Sequence, residues 1–439
     1  MPAGISRRTI LKGAAAGAAA AAVSKRSSFA APAVIQNGPI EVVLWSALSG
    51  ALQDAIQHIV DEFNASQTEV KVINQFQGSY DEAAQKLTAA IPAKNAPDIA
   101  HLSEAWWFKF FVANSLQPLD DYIAADQLDT ADYVDSLINE GNKLGHQWWM
   151  PWARSTPLFY YNKDVFTAAG LPNGPKTWDE LAAAAPSMIT KDGDTLTRSA
   201  FAMASIGDAW AFQGMIWAWG GRYSDDDFNI TINQEAGVSA GEFYKSMVAD
   251  GWASLSTDAA TDFVNGLTAA SIMSTGGMKT ILESATTFEV GTAFLPEGPA
   301  GFGCCTGGSG LSILAGSADE KKSAAWEFVK FTSTPENTTW WSQNTGYMPV
   351  RKSAVNSESM QAFYTERPTF KTAVDQLALT KPQDPARIYV PNGLQTLNGA
   401  LEAITVELDD VQATFDDAAA TLTDDAQSVI ESLNEMQQS

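Results

Sequence analysis

The sequence predicts an α/β protein whose leading strands pair in parallel and whose two lobes share crossing strands. Two observations carry this. Short β-rich runs alternate with helical periodicity through the first hundred residues, and the 439-residue chain has neither an internal repeat nor a long linker. Alternation implies parallel strands joined by helical crossovers. Some 400 residues suffice for two cores. Without a linker, shared crossing strands fit better than separate beads.

Residues 40–45 form the first β-rich run, and Leu52, Ile56, Ile59, Val60 and Phe63 then fall on one helical face. Residues 70–76 read as a second strand, 80–91 as a helix, 98–102 as a third strand and 105–113 as a helix. Ligands of such sheets sit beyond the carboxyl ends of the strands. The loops at 46–50, 78–81 and 103–107 are therefore candidate binding loops. Further on, residues 151–161 are extended and aromatic-rich. Thr177 with Glu180 three residues later signals a capping box. A Gly/Cys/Ser/Thr loop over 301–310 precedes a strand at 311–314, and residues 318–331 and the acidic end from Leu401 read as helix.

The N-terminus reads as an export signal. Arg7 and Arg8 precede an Ala/Gly run over 13–23, and small residues follow at 29–33. This is a cleavable signal of twin-arginine type over residues 1–33. Its apolar run is far short of the roughly 20 residues a membrane span needs. A soluble periplasmic protein is expected. The formal charge is −24, and without the five basic residues of positions 1–30 the mature chain carries about −29. Such a surface repels nucleic acid and anionic membrane. Cys304 and Cys305 are adjacent, too close for ordinary disulfide geometry. They read as small buried residues, with a strained vicinal bridge as the lesser option.

Catalytic and metal patterns fail. His58, His101 and His146 are too dispersed for a triad or metal set, and Gly307-Gly308-Ser309-Gly310-Leu311 lacks the last glycine of a nucleophile elbow and the Lys of a phosphate loop. No enzyme activity, catalytic residue, metal or cofactor is expected. Tryptophans cluster at 106–107, 148–152, 210–219 and 340–341. Their rings suit the apolar faces of sugars and polyols, though any one of them serves equally well as core.

Five blocks occur in order: Leu44-Trp45-Ser46, Ala96-Pro97-Asp98-Ile99, residues 156–163 (TPLFYYNK), residues 176–181 (KTWDEL) and Thr345-Gly346-Tyr347-Met348-Pro349. Together they resemble the extracellular solute-binding protein family of carbohydrate ABC importers. Most similar is its sn-glycerol-3-phosphate-binding branch. The resemblance implies a maltose-binding-protein-like fold of two α/β lobes about a hinge, residues 40–152 plus 312–365 forming one and 153–311 plus 366–439 the other. It implies an ABC permease as partner and a monomer. Carried over residue by residue, it places ligand contacts at Tyr80, Glu104, Ser155, Trp210, Ser274, Thr275, Gly308, Tyr347 and Arg387. Arg387 offers a planar fork to phosphate, hydroxyls and a glycine N–H complete a shell, and Glu104 accepts from glycerol hydroxyls. The high negative charge opposes a dianion, so glycerophosphodiesters and neutral sugars stay open as ligands, and a secreted hydrolase is the remote alternative.

Overall fold

Strands gathered from both halves of the chain build two sheets in the structure, a computed structural model that describes residues 38–438. The expected signal, residues 1–33, lies outside them. In chain order the strands of these two sheets are β1 (Ile40–Ser46), β2 (Val70–Phe76), β3 (Ile99–Ser103), β4 (Met150–Ser155), β5 (Pro157–Asn162), β6 (Phe201–Ala204), β7 (Ala253–Ser256), β8 (Ala270–Ser274), β9 (Val290–Ala293) and β10 (Gly307–Ile313), beside two short hairpins over 142–147 and 190–198. The first sheet runs β2-β1-β3-β10-β4 and the second β7-β6-β8-β5-β9.

In each sheet four strands share one direction and the fifth runs against them. β1 pairs in parallel with β2 and β3, whereas β10 runs antiparallel to both β3 and β4. Likewise β6 pairs in parallel with β7 and β8, and β5 lies antiparallel between β8 and β9. The parallel strands are those joined by helical crossovers. β5 and β10 arrive by crossing from the other sheet, so nothing forces them to run in parallel.

The predicted amphipathic stripe is buried from Ile56 to Phe63, with Leu52 at its start half-buried. In the helix Ala51–Ser66, Ile56, Ile59, Val60 and Phe63 pack with Val42, Leu44 and Val72 of the first sheet. Each such side chain stabilises the fold by about 1.5–3 kcal/mol. The helix Tyr80–Ala90 starts at a reciprocal cap: the Ser79 hydroxyl accepts from Glu82 N–H, and the Glu82 carboxylate accepts from Ser79 N–H. That cap fixes where Tyr80 begins the helix. Among the described residues no helix is long and apolar enough to cross a membrane. Cys304 and Cys305 are buried free thiols.

The chain passes between sheets at Thr156 and Thr306, a few residues from the boundaries drawn at 152 and 312. Thr156 N–H donates to Thr275 Oγ1 at 3.2 Å, and Thr156 O accepts from Thr275 N–H at 3.1 Å. Two segments depart further from the expected division. The helix Glu358–Glu366 buries Met360 and Tyr364 against Leu158 and Tyr160 of the second sheet. The C-terminal helix Val411–Gln438 buries Val411, Phe415 and Leu422 in the second sheet's core, yet Val429 joins Trp107, Phe108 and Trp149 beside the first. At 1.5 Å per residue it is about 42 Å long, enough to span both.

Candidate functional site

The carboxyl ends of the parallel strands converge on the two crossing points. Just past β2, the capped helix start presents Tyr80. Just past β3, Glu104 donates its backbone N–H to Gly308 O at 3.1 Å. Ser155 ends β4 and pairs in register with Gly307 of β10. Ser274 and Thr275 end β8. The nine residues expected from the sequence thus come together in one contiguous set. Of the expected loops, 78–81 and 103–107 supply side chains, while 46–50 enters through one backbone N–H.

Tyr80 Oη donates to Ser309 Oγ at 2.8 Å and faces Tyr347. Burial raises the pKa of both phenols, Tyr80 well above its ordinary value and Tyr347 to about 12, so both stay neutral donors. Tyr347 stacks on Trp341 with ring centres 5.9 Å apart, and its ring lies where a Cβ on Gly276 would stand, 2.6 Å away. Trp210 is half-buried, flat against Gly307, with Nε1 donating to Thr306 O at 3.0 Å. Trp107, Trp149, Trp152 and Trp341 are wholly buried core. Ser274 Oγ is taken up by Gly276 N–H at 3.1 Å, so its hydroxyl shapes the turn.

Gly308 has φ +98, and a Cβ there would lie 2.1 Å from Ala153 O. The close approach of two backbones requires glycine. Gly308→Ala is expected to lower the denaturant-unfolding free energy by about 2 kcal/mol or more, and a variant as stable as the parent would refute the tight β4–β10 contact.

Arg387 lies in the short helix Pro385–Ile388 and is 7% exposed, like Glu104. Their Nη1 and Oε1 are 3.6 Å apart. Gln383 joins them: its Nε2 donates to Glu104 Oε1 at 3.0 Å and to Thr306 O at 2.8 Å, and its Oε1 accepts from Arg387. Glu104 Oε2 and Arg387 Nε are buried without a hydrogen-bond partner. Unspent donors and acceptors of this kind are costly unless a solute uses them.

Sequence reasoning missed three contributors. His101 is one. Its Nδ1 accepts from Ala47 N–H at 3.4 Å, which leaves the proton on Nε2, 2.5 Å from Ser309 Oγ. The chain His101–Ser309–Tyr80 thereby aims the Tyr80 hydroxyl. Burial lowers the His101 pKa to about 3. Because this folded value lies below the unfolded one near 6.5, the unfolded chain binds a proton that the folded chain refuses between pH 6.5 and 3. Stability therefore falls as pH drops through that window, by up to about 1.4 kcal/mol per unit. His101→Gln should flatten this part of a urea-midpoint profile; parallel profiles would overturn the assignment. A histidine one residue-pair before the end of an apolar strand was the available signal.

Gln383 left no signal, since only folding carries it to Glu104. The third contributor is the pair Arg154–Glu140, which lies beneath the same strands. Arg154 is wholly buried, ion-paired to Glu140, and 4.8 Å over the Trp149 ring; Thr306 Oγ1 donates to the same carboxylate. Burial raises the Glu140 pKa despite Arg154 and Thr306, which pull it down. A charge within the apolar crossing segment was visible; its partner was not.

Residues 58–372 match the family described as bacterial extracellular solute-binding protein. The chain belongs to this family. That match includes every proposed contact from Tyr80 to Tyr347 and ends before Arg387. Residues 4–24 match the twin-arginine translocation signal, so this solute-binding protein is exported. Among solved structures it is similar to UgpB from Mycobacterium tuberculosis in complex with glycerophosphocholine: 37% identity, TM-score 0.81, 92% of this chain and 100% of that one. It is similar as well to the sn-glycerol-3-phosphate-binding periplasmic protein UgpB of Escherichia coli K12, 27% identical over 78% of this chain and 82% of that protein. The cyclic alpha-maltosyl-1,6-maltose binding protein from Arthrobacter globiformis shares the fold at 25% identity and TM-score 0.74, covering 91% of this chain and 100% of that one. The family serves ABC importers, binding small solutes and delivering them to the permease.

Proposed function

We propose that this solute-binding protein captures a glycerol phosphate ester, sn-glycerol-3-phosphate or a glycerophosphodiester, as a monomer and without chemical turnover. The observation that carries the reading is Arg387, a buried guanidinium with an unspent Nε beside an unspent Glu104 oxygen. Arg387 would grip phosphate with its fork, and Glu104 would accept from glycerol hydroxyls. Tyr80, Tyr347 and Thr275 would supply hydroxyls around them, with Trp210 and Ser155 on the remaining side. The names of the relatives support the same ligand class.

Charge favours the diester. Glu104 offsets much of the Arg387 charge, and the chain as a whole is strongly negative. A monoanionic diester needs less compensation than a dianionic monoester. Neutral sugar is the second reading, favoured by the Trp210 face and by the maltosyl-maltose relative. Residues from both sheets meet around the solute, so its contacts stabilise the closed arrangement.

Calorimetric titration separates these readings. Micromolar affinity, about 8 kcal/mol, is expected for glycerophosphocholine, with sn-glycerol-3-phosphate weaker and maltose silent. Heat from maltose and from neither phosphate ester would sink the proposal. Hydrolysis products after prolonged incubation would restore the hydrolase alternative.

A further inference from the structure

Beside the Arg387–Glu104 site, and sharing Gln383 with it, lies a cavity of about 770 Å³. Its size is within the range of roughly 300–1,000 Å³ typical of small-molecule sites. One wall comes from Phe108 and Lys143, packed with the first sheet, and the facing wall from Trp217 and Arg222, packed with the second; Lys381 and Tyr389 also line it.

The charge of this cavity reverses that of the molecule. Three cations line it against one carboxylate, Asp226, in a chain of formal charge −24. Arg222 is already committed, to Asp384 at 2.8 Å and to Asp226 at 2.9 Å. The lysines are not. Among the described residues no carboxylate stands within ion-pair distance of Lys143 or Lys381. Lys143 Nζ instead sits 4.3 Å over the Tyr389 ring, with Phe108 at 6.0 Å. Burial lowers the Lys143 pKa, and the nearby Asp226 carboxylate only partly opposes it, as expected of a charge held partly out of water with its nearest carboxylate beyond ion-pair distance.

We propose that this cavity is an accessory binding site for a small organic anion with a flat apolar body. Lys143 and Lys381 would take the anionic group, and Trp217 and Tyr389 would cover the flat face. Aromatic walls with a few placed charges are the usual build of such sites. The site adjoins the Arg387 site at Gln383 and does not rest on the ligand proposed there.

Phenyl phosphate serves as the probe for calorimetric titration of the full mature chain. One binding event is expected, retained in Arg387→Ala and in the presence of saturating glycerophosphocholine. Lys143→Gln and Lys381→Gln should each weaken it by about tenfold, with unchanged circular-dichroism melting showing that the variants fold. Inorganic phosphate and benzyl alcohol, each lacking half of the probe, should bind more weakly by a similar factor. Loss of the signal in Arg387→Ala, or its displacement by glycerophosphocholine, would place the probe in the cleft and overturn the proposal. So would affinity indifferent to both lysines, or no binding at all. Direct titration of glycerophosphocholine alone reads out the cleft's own ligand independently.

Discussion

Arg387→Ala is expected to weaken binding of a glycerol phosphate ester by roughly 30- to 4,000-fold. Removing one partner of a buried, hydrogen-bonded charge pair costs about 2–5 kcal/mol, and each 1.4 kcal/mol is about tenfold in affinity. Two losses add here. The phosphate loses its fork, and Glu104, 7% exposed with Oε2 unpartnered, is left as a buried charge facing an anion. Arg387→Lys keeps the charge but not the planar pair of donors, so it should recover only part of the loss. Titration of each variant with glycerophosphocholine is the measurement. A change of less than about threefold in Arg387→Ala would show that the phosphate is held elsewhere, and a protein that binds a neutral sugar would show no such phosphate loss.

Glu140→Ala should lower stability by about 3–5 kcal/mol, read as a shift of the denaturant midpoint at pH 7. Arg154 is 0% exposed, and two of its nitrogens, Nε and Nη1, already lack hydrogen-bond partners. Its stability in the fold depends on the Glu140 carboxylate. Taking that away strands a full charge under the strands and strips Thr306 Oγ1 of its acceptor. Replacing both partners together by Gln and Met removes the stranded charge, so the double variant should be more stable than Glu140→Ala alone. If the single variant unfolds at the parental midpoint, the pair is not the buried anchor described above.

The crossing points of the chain connect these expectations. Thr306 ties Glu140 on one side and Gln383 and Trp210 on the other. The cleft and the buried pair beneath it thus share one residue, and their variants should not be additive. Ligand affinity should therefore fall in Glu140→Ala as well, by less than in Arg387→Ala.

Much of the fold was legible because it rests on local periodicity. The helical stripe from Leu52 to Phe63, the strand at 70–76 and the capped start at Tyr80 each follow from spacing within a dozen residues. The strand Gly307–Ile313 begins four residues before the stretch 311–314 that the sequence predicts. Its glycines look like a loop in the sequence, yet they are there because Ala153 O and Met150 O approach the strand too closely for any Cβ. Similarly, the strand directions of β5 and β10 could not be read locally, since direction depends on where the chain came from.

Of the site, the sequence by itself determined the residue types and, through its resemblance to a family, their positions from Tyr80 to Arg387. It determined the export signal, the surplus of negative charge and the lack of any catalytic pattern. Only the tertiary structure decided what these residues do to each other. Gln383 reaches Glu104 across 279 positions, and His101 reaches Ser309 across 208. The reason is physical: periodicity reports the environment of a residue along its own helix or strand, whereas a polar partner is chosen by which backbones the packed cores bring within about 3 Å. Burial then turns those pairings into neutral phenols, a neutral histidine and an arginine with one donor unspent.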